Sequence, residues 1–142
     1  MSQEALSRRM EHYLEAILRV SGDRGYARCS ELADRLGVSR SSVTEMLQKL
    51  GGRGLVIYAP CEPVVLTPEG RTAASAIHER HRVLQALLRH VGVPEPAVRE
   101  EACVLEHSLR SETIERIREF VDRESSEKLP QPNPLRQGFI QA

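Results

Sequence analysis

The stretch SELADRLGVSRSSVTEMLQKL, Ser30 to Leu50, decides the fold. Leu32, Ala33 and Leu36 recur at helical spacing, and Ser30 stands just ahead of them as an N-cap for the first orphan amides. Gly37-Val38-Ser39 then reads as a tight turn. Gly37 takes the left-handed backbone that ends a helix without a Cβ clash, and Ser39 caps the next helix. That second helix is expected from Arg40 to about Leu50, with Val43, Leu47 and Leu50 facing inward, until Gly51, Gly52 and Gly54 stop it.

Upstream, Leu6, Met10, Tyr13, Leu14, Ile17 and Leu18 predict an amphipathic helix over residues 5 to 20, ended by Gly22 and Gly25. Tyr26 to Cys29 reads as a short extended piece. Downstream, Leu55 to Tyr58 and Pro63 to Leu66 are β-prone runs joined through Ala59 to Glu62, a hairpin. Thr67-Pro68 supplies a capping hydroxyl and then proline at the first helical position. A long helix runs from there to Val91, another from Pro94 to about Leu109, and Ser111 caps a last one carrying Ile114, Ile117, Phe120 and Val121. After Arg123 the chain is polar and proline-rich, a composition unable to bury enough apolar surface to order itself. Helix, helix, glycine turn, helix and β-hairpin wing, in that order, describe a winged helix-turn-helix. The fold class expected is mostly α: a winged helix-turn-helix with a small β-hairpin wing over 1–71, an all-helical dimerisation domain over 72–123, and a flexible tail over 124–142.

Composition narrows the classes. With 142 residues, the chain can bury one ordinary core or two small ones. Twenty basic and twenty acidic side chains cancel, so contact with nucleic acid has to come from a local patch. No stretch approaches the ~18 unbroken apolar residues of a membrane span, and the N-terminus lacks the basic start and apolar run of a signal peptide. Cys29, Cys61 and Cys103 are odd in number and dispersed, which suits a reducing cytoplasm rather than a disulfide framework.

A helix that enters the major groove presents short polar side chains at its N-terminal end. Ser39, Arg40, Ser41, Ser42 and Thr44 meet that need, and hydroxyls at a helix N-terminus suit phosphate oxygens. Between Leu36 and Pro60, Arg40, Lys49 and Arg53 outnumber Glu45, a local excess of two positive charges in a neutral chain. Glu45 is the candidate base reader, since a carboxylate accepts from cytosine N4. Tyr58, near the hairpin tip, is a candidate backbone contact. Alone, such residues cap helices and line solvated surface; the turn before them and the wing after them make the DNA reading the stronger one.

Metal donors collect on three other helices. His12 and Glu15 share one face of the first, His78 and His81 lie on the long fourth, and Cys103, Glu106 and His107 form one stripe of the fifth. Transition metals take three to six such donors from a rigid frame. Singly, each has a plain structural alternative: Cys103 as a small core residue, His81 as a hydrogen-bonded core histidine, the others as surface.

The chain resembles the diphtheria-toxin-repressor and manganese-transport-regulator family of metal-dependent repressors, from about Met10 to Val121. The resemblance rests on Tyr13-Leu-Glu-Ala-Ile17, Val38-Ser-Arg-Ser-Ser-Val-Thr44, Leu66-Thr-Pro-Glu-Gly70, Arg80-His81 followed by Leu84, and Leu105-Glu-His-Ser-Leu109. It implies metal ligands at His81, Glu106 and His107, with Glu15 matching a carboxylate of the manganese branch. Where that branch carries aspartate and glutamate, this chain has His12 and Cys103. The iron branch has cysteine at the second of these positions and methionine at the first, and usually adds an SH3-like domain for which this chain has no room.

The ligand set so implied is His12, Glu15, His81, Cys103, Glu106 and His107, for Mn2+ or Fe2+ with Zn2+ possible by the same chemistry. The partners implied are a second copy of the chain and a palindromic operator in double-stranded DNA, with no membrane. The function implied is metal-dependent repression of metal-uptake genes. Two rivals remain at this level. A winged-helix regulator could answer a small organic ligand with no metal site, and a metallo-hydrolase could use the same donors to activate water. The second leaves the winged helix unexplained.

Overall fold

The computed structural model describes residues 5–127. Six α-helices, one short 3-10 turn and one two-stranded antiparallel sheet make up those residues, and the boundary between two compact units falls between Arg80 and His81.

The first unit opens with α1 (Arg8–Ser21), whose N-cap Ser7 accepts a hydrogen bond from the Met10 amide. Tyr13, Leu14, Ala16 and Ile17 are its buried face. Ala27 then forms an isolated antiparallel bridge with Val64, so the extended piece read at Tyr26 to Cys29 adds a rung beside the wing. Helix α2 (Cys29–Leu36) starts one residue before the expected cap Ser30. Arg28 occupies the cap position and the Glu31 carboxylate accepts from its amide at 3.1 Å. An acidic side chain at the third helical position thus reaches back to the cap residue's own N–H, so the helix starts at Cys29 and Ser30 falls inside its first turn. The Arg24 guanidinium contacts the same carboxylate and holds its pKa below the ordinary carboxyl value. That contribution is present above the ordinary value and is lost as pH falls through the lowered one.

The Gly37 turn forms as read, with φ +67°, and Ser39 caps α3 (Arg40–Gly52) by accepting from the Ser42 amide at 3.1 Å. Helix α3 runs through Gly51 and Gly52, two residues beyond the expected stop. Glycine in a last turn costs only about 1 kcal/mol against alanine, and intact backbone bonds offset it. The stop is Gly54, at φ +73°, whose amide bonds to Gly51 while that of Leu55 returns to Leu50.

Strands β1 (Val56–Ile57) and β2 (Val65–Leu66) are shorter than the β-prone runs and pair Val56 with Leu66 and Ile57 with Val65. Val56 and Leu66 face the core, whereas Ile57 and Val65 are exposed. The Thr67 hydroxyl donates to the Gly54 carbonyl at 2.6 Å and accepts from the Gly70 amide at 3.0 Å, which caps α4 (Pro68–His90) and pins it to the turn after α3. Gly70 lies so close to this turn that a Cβ on it would stand 1.8 Å from the Leu55 carbonyl oxygen.

In the second unit α4 continues to His90 and ends at Gly92, φ +93°. Helix α5 (Glu95–Ser108) begins after Pro94, as read, and α6 begins at Ser111. Val83, Leu84, Val98, Ala102, Ile114 and Val121 are its buried apolar residues. Helix α6 (Ser111–Glu127) continues past the expected end at Arg123. Within it the Ser126 hydroxyl donates to the Asp122 carbonyl at 3.0 Å. The rest of the expected tail, from residue 128, lies outside the described residues.

Glycine at position 70 is therefore required by contact, and Gly70→Ala is expected to destabilise the chain by about 3 kcal/mol or more, at the upper end of overpacking costs. Gly52→Ala meets nothing within 4 Å at a helical position and is expected to be neutral or to stabilise by roughly 0.5–1 kcal/mol. Urea denaturation of both variants checks this, and equal midpoints for the two would refute the close approach.

Candidate nucleic-acid interface and metal centre

Val43, Met46, Leu47 and Leu50 anchor α3 in the core of the first unit. Met46 was missing from the inward face read in the sequence, because an unbranched thioether at a helix flank fits either environment. With those four inside, Ser39, Arg40, Ser41, Glu45 and Lys49 are exposed and Ser42 and Thr44 half-buried. The Ser39 hydroxyl is already committed: it accepts from the Ser42 amide and donates to the Ser42 hydroxyl at 3.0 Å. Arg40, Ser41, Glu45, Gln48 and Lys49 are the exposed, uncommitted side chains along this helix.

Two grooves flank this helix. One, lined by Leu47, Gln48, Gly51, Val56, Ile57 and Tyr58, separates the C-terminal half of α3 from the wing; Tyr58 is half-buried and Ile57 is 64% exposed. The other brings Arg28 and Ser30, at the start of α2, to the same groove as Arg40. Gln48 and Arg28 were overlooked in the sequence. Gln48 lies four residues after Thr44 and three after Glu45, a spacing that flags it as a neighbour of both on one face. Arg28 joins the surface only through the Ala27–Val64 bridge, a non-local pairing that periodicity does not reveal.

The metal candidates fall in both units. In the first, His12 and Glu15 are half-buried on α1, and the Glu15 carboxylate accepts from Arg19 Nε at 3.2 Å. Glu11, beside His12, pairs with Arg80 of α4 at 3.4 Å. His78 is half-buried, and its Nδ1 has no hydrogen-bond partner among the described residues.

In the second unit, Glu106 is the only charged residue buried among the described ones, its side chain 2% exposed. Its carboxylate contacts Nε2 of His81, whose side chain is 12% exposed. Cys103 and His107, one turn apart on α5, bring ligand atoms within 4.8 Å of each other. A carboxylate, a thiol and two imidazoles gathered on α4 and α5 are a divalent-cation donor set. The residues present therefore fit a transition metal.

Known proteins carry the same two parts. A family model described as the iron dependent repressor N-terminal DNA-binding domain matches residues 5–63, and one described as the iron dependent repressor metal-binding and dimerisation domain matches residues 67–133. The HTH-type transcriptional regulator MntR of Bacillus pumilus (strain SAFR-032) is 37% identical over 121 residues, 84% of this chain and 84% of the relative. Its counterpart in Geobacillus kaustophilus (strain HTA426) is 38% identical over 112 residues, 79% of each chain. Among solved structures, a manganese-dependent transcriptional repressor in complex with manganese superposes with a TM-score of 0.71 at 33% identity. It covers 88% of this chain and 55% of that one. IdeR of T. acidophilum gives a TM-score of 0.69 at 29% identity, over 92% and 60% of the two chains. The chain belongs to the iron-dependent repressor family, whose members are metal-dependent, DNA-binding transcriptional regulators rather than enzymes.

Proposed function

We propose that the chain is a cytoplasmic, homodimeric repressor of metal-uptake genes that reads a palindromic operator when a divalent transition metal is bound. The observation that carries this reading is the buried Glu106 carboxylate beside His81, with Cys103 and His107 on the same helix. Residues 1–71 are the DNA reader and 72–123 the metal-binding and dimerisation part. No helix of the described residues is long and apolar enough to cross a membrane.

In this reading His12 and Glu15 on α1 join His81, Cys103, Glu106 and His107 as one ligand set. Glu15 gives up its Arg19 partner to do so. A bound cation neutralises the carboxylates and the thiolate and ties the reader's first helix to the helical part. Metal affinity and DNA affinity then rise together, typically by ~1–3 kcal/mol of coupling. In a twofold dimer the two α3 helices address half-sites about one DNA turn apart, ~34–36 Å. Arg40 and Lys49 take phosphates, Ser39, Ser41, Ser42 and Thr44 line the helix entry, Tyr58 supports the wing, and Glu45 and Gln48 read base edges. Manganese is supported by the relatives named for it, and iron by the sulfur of Cys103, softer than the oxygens manganese prefers. Zinc fits the same nitrogen and sulfur donors but is less suited to six of them.

Two outcomes test this. Arg40→Ala with Lys49→Ala should weaken all DNA sequences alike and flatten the salt dependence by about 0.9 in slope per lost phosphate contact, whereas Glu45→Ala and Gln48→Ala should alter sequence preference by ~1–3 kcal/mol. Wild-type binding by the basic double variant at every salt concentration would remove α3 from the groove. Cys103→Glu replaces sulfur by oxygen, so DNA binding assayed across a panel of divalent ions should shift toward Mn2+. An unchanged ranking would make Cys103 a packing residue and not a ligand.

A further inference from the structure

Neither role uses Cys29 or Cys61, yet the two line one groove of the reader together with Arg28, Arg40, Glu62 and Pro63. Cys29 opens α2 and is half-buried, and Cys61 is exposed at the wing tip. The backbone explains their proximity. Ala27 and Val64 exchange two hydrogen bonds, of 3.0 and 2.8 Å, in an antiparallel bridge. Cys29 lies two residues after Ala27 and Cys61 three residues before Val64, so both leave the bridge on the same side. Cys61 is also the non-glycine residue with a left-handed backbone among those described, φ +66°, in a turn closed by the Glu62 amide on the Ala59 carbonyl at 3.1 Å. Glycine or asparagine ordinarily fills such a position.

We propose that Cys29 and Cys61 are a thiol-modification site: a dithiol that a hydroperoxide closes to an intramolecular disulfide, tethering the wing tip to the start of α2 beside Arg40. A disulfide requires Cα atoms within about 7 Å, and the Ala27–Val64 bridge already holds the two parent segments side by side. Exposed Cys61 reacts first. Its sulfur attacks one peroxide oxygen, the O–O bond breaks, the attacked oxygen stays as the sulfenic acid and the other leaves as water. The Cys29 sulfur then displaces that oxygen, the S–S bond forms and a second water leaves. Two electrons pass from the sulfurs to the peroxide, and two thiols with one hydrogen peroxide become one disulfide and two waters. Exchange with a small thiol reverses the reaction. A wing tied to α2 no longer follows the DNA backbone past Arg40, so the oxidised protein releases DNA. This last consequence rests on reading α3 as the DNA-contacting helix; the disulfide does not.

The test treats the Mn2+-loaded full chain with equimolar hydrogen peroxide, maps the cysteines by mass spectrometry without reductant, and follows DNA binding by fluorescence anisotropy. The expected product is a Cys29–Cys61 link within one chain, about 2 Da lighter than the dithiol, reversed by dithiothreitol, with DNA affinity lowered roughly tenfold. Cys29→Ser and Cys61→Ser should each bind DNA as the reduced wild type does and form no internal disulfide with peroxide, Cys29→Ser stopping at the Cys61 sulfenic acid. Linkage through Cys103, linkage between two chains, or Cys61 oxidised with no link would overturn the proposal. A Cys29–Cys61 disulfide that leaves DNA affinity unchanged would support the modification site and overturn its effect on DNA release. If the reduced protein binds no DNA at all, the reader assignment fails while the cysteine map still decides the disulfide.

Discussion

A carboxylate almost wholly withdrawn from water is the constraint on which the functional reading depends. Glu106 keeps 2% of its side chain exposed, and the imidazole of His81 meets it. A carboxylate taken out of water is costly unless it is paired or bound to a cation, and in the proposed reading a divalent metal is that cation. The same reading gives a use to the Cys103 thiol and the His107 imidazole, one helical turn apart on α5 with ligand atoms within 4.8 Å of each other.

The reader is built on different terms, by close backbone approach. Gly37 bends the chain between α2 and α3, and Ser39 closes the end of α3 on itself. Beyond α3, Thr67 bridges the Gly54 carbonyl and the Gly70 amide, and Gly70 lies against Leu55 with no room for a side chain. The wing and α4 are thus fixed to the end of α3. On the other side, Arg53 at that end donates to the Met10 sulfur of α1 at 3.5 Å, and Glu11 pairs with Arg80. The helix carrying His12 and Glu15 therefore touches both the end of α3 and the helix that leads to His81, all within the first unit up to Arg80. In the proposed coupling, metal held by α1 would act on an element already joined to the reader.

Most of this was legible in the sequence because it is local. The Gly37-Val38-Ser39 turn, the Thr67-Pro68 start and the 3.6-residue periodicity of α1 each reside in a handful of neighbouring residues, as does the Cys103, Glu106, His107 stripe. What escaped was decided by competition or by long-range pairing. Arg28 took the α2 cap from Ser30 because Glu31 was placed to accept from its amide. Gly51 and Gly52 stayed helical because Gly54 offered the left-handed stop further on. Helix α6 runs on to Glu127 where polarity suggested a tail, with the Ser126 hydroxyl turned back on the Asp122 carbonyl. The Ala27–Val64 bridge joins residues far apart in the chain, and with it came the placement of Arg28 near Arg40 and of Cys29 near Cys61. His78 and His81, three apart on one helix, look alike in the sequence, and only burial beside Glu106 separates them.

At the centre of the proposed mechanism, metal and DNA affinities are one linked quantity, and linkage is reciprocal. The direct measurement is calorimetric titration of Mn2+ and of Fe2+ into the reduced full chain, alone and saturated with an operator fragment selected from random-sequence DNA. Linkage predicts that DNA tightens metal binding by the same factor by which metal tightens DNA binding, about 5- to 150-fold for a coupling of typical size. Metal binding of equal affinity with and without DNA would contradict it.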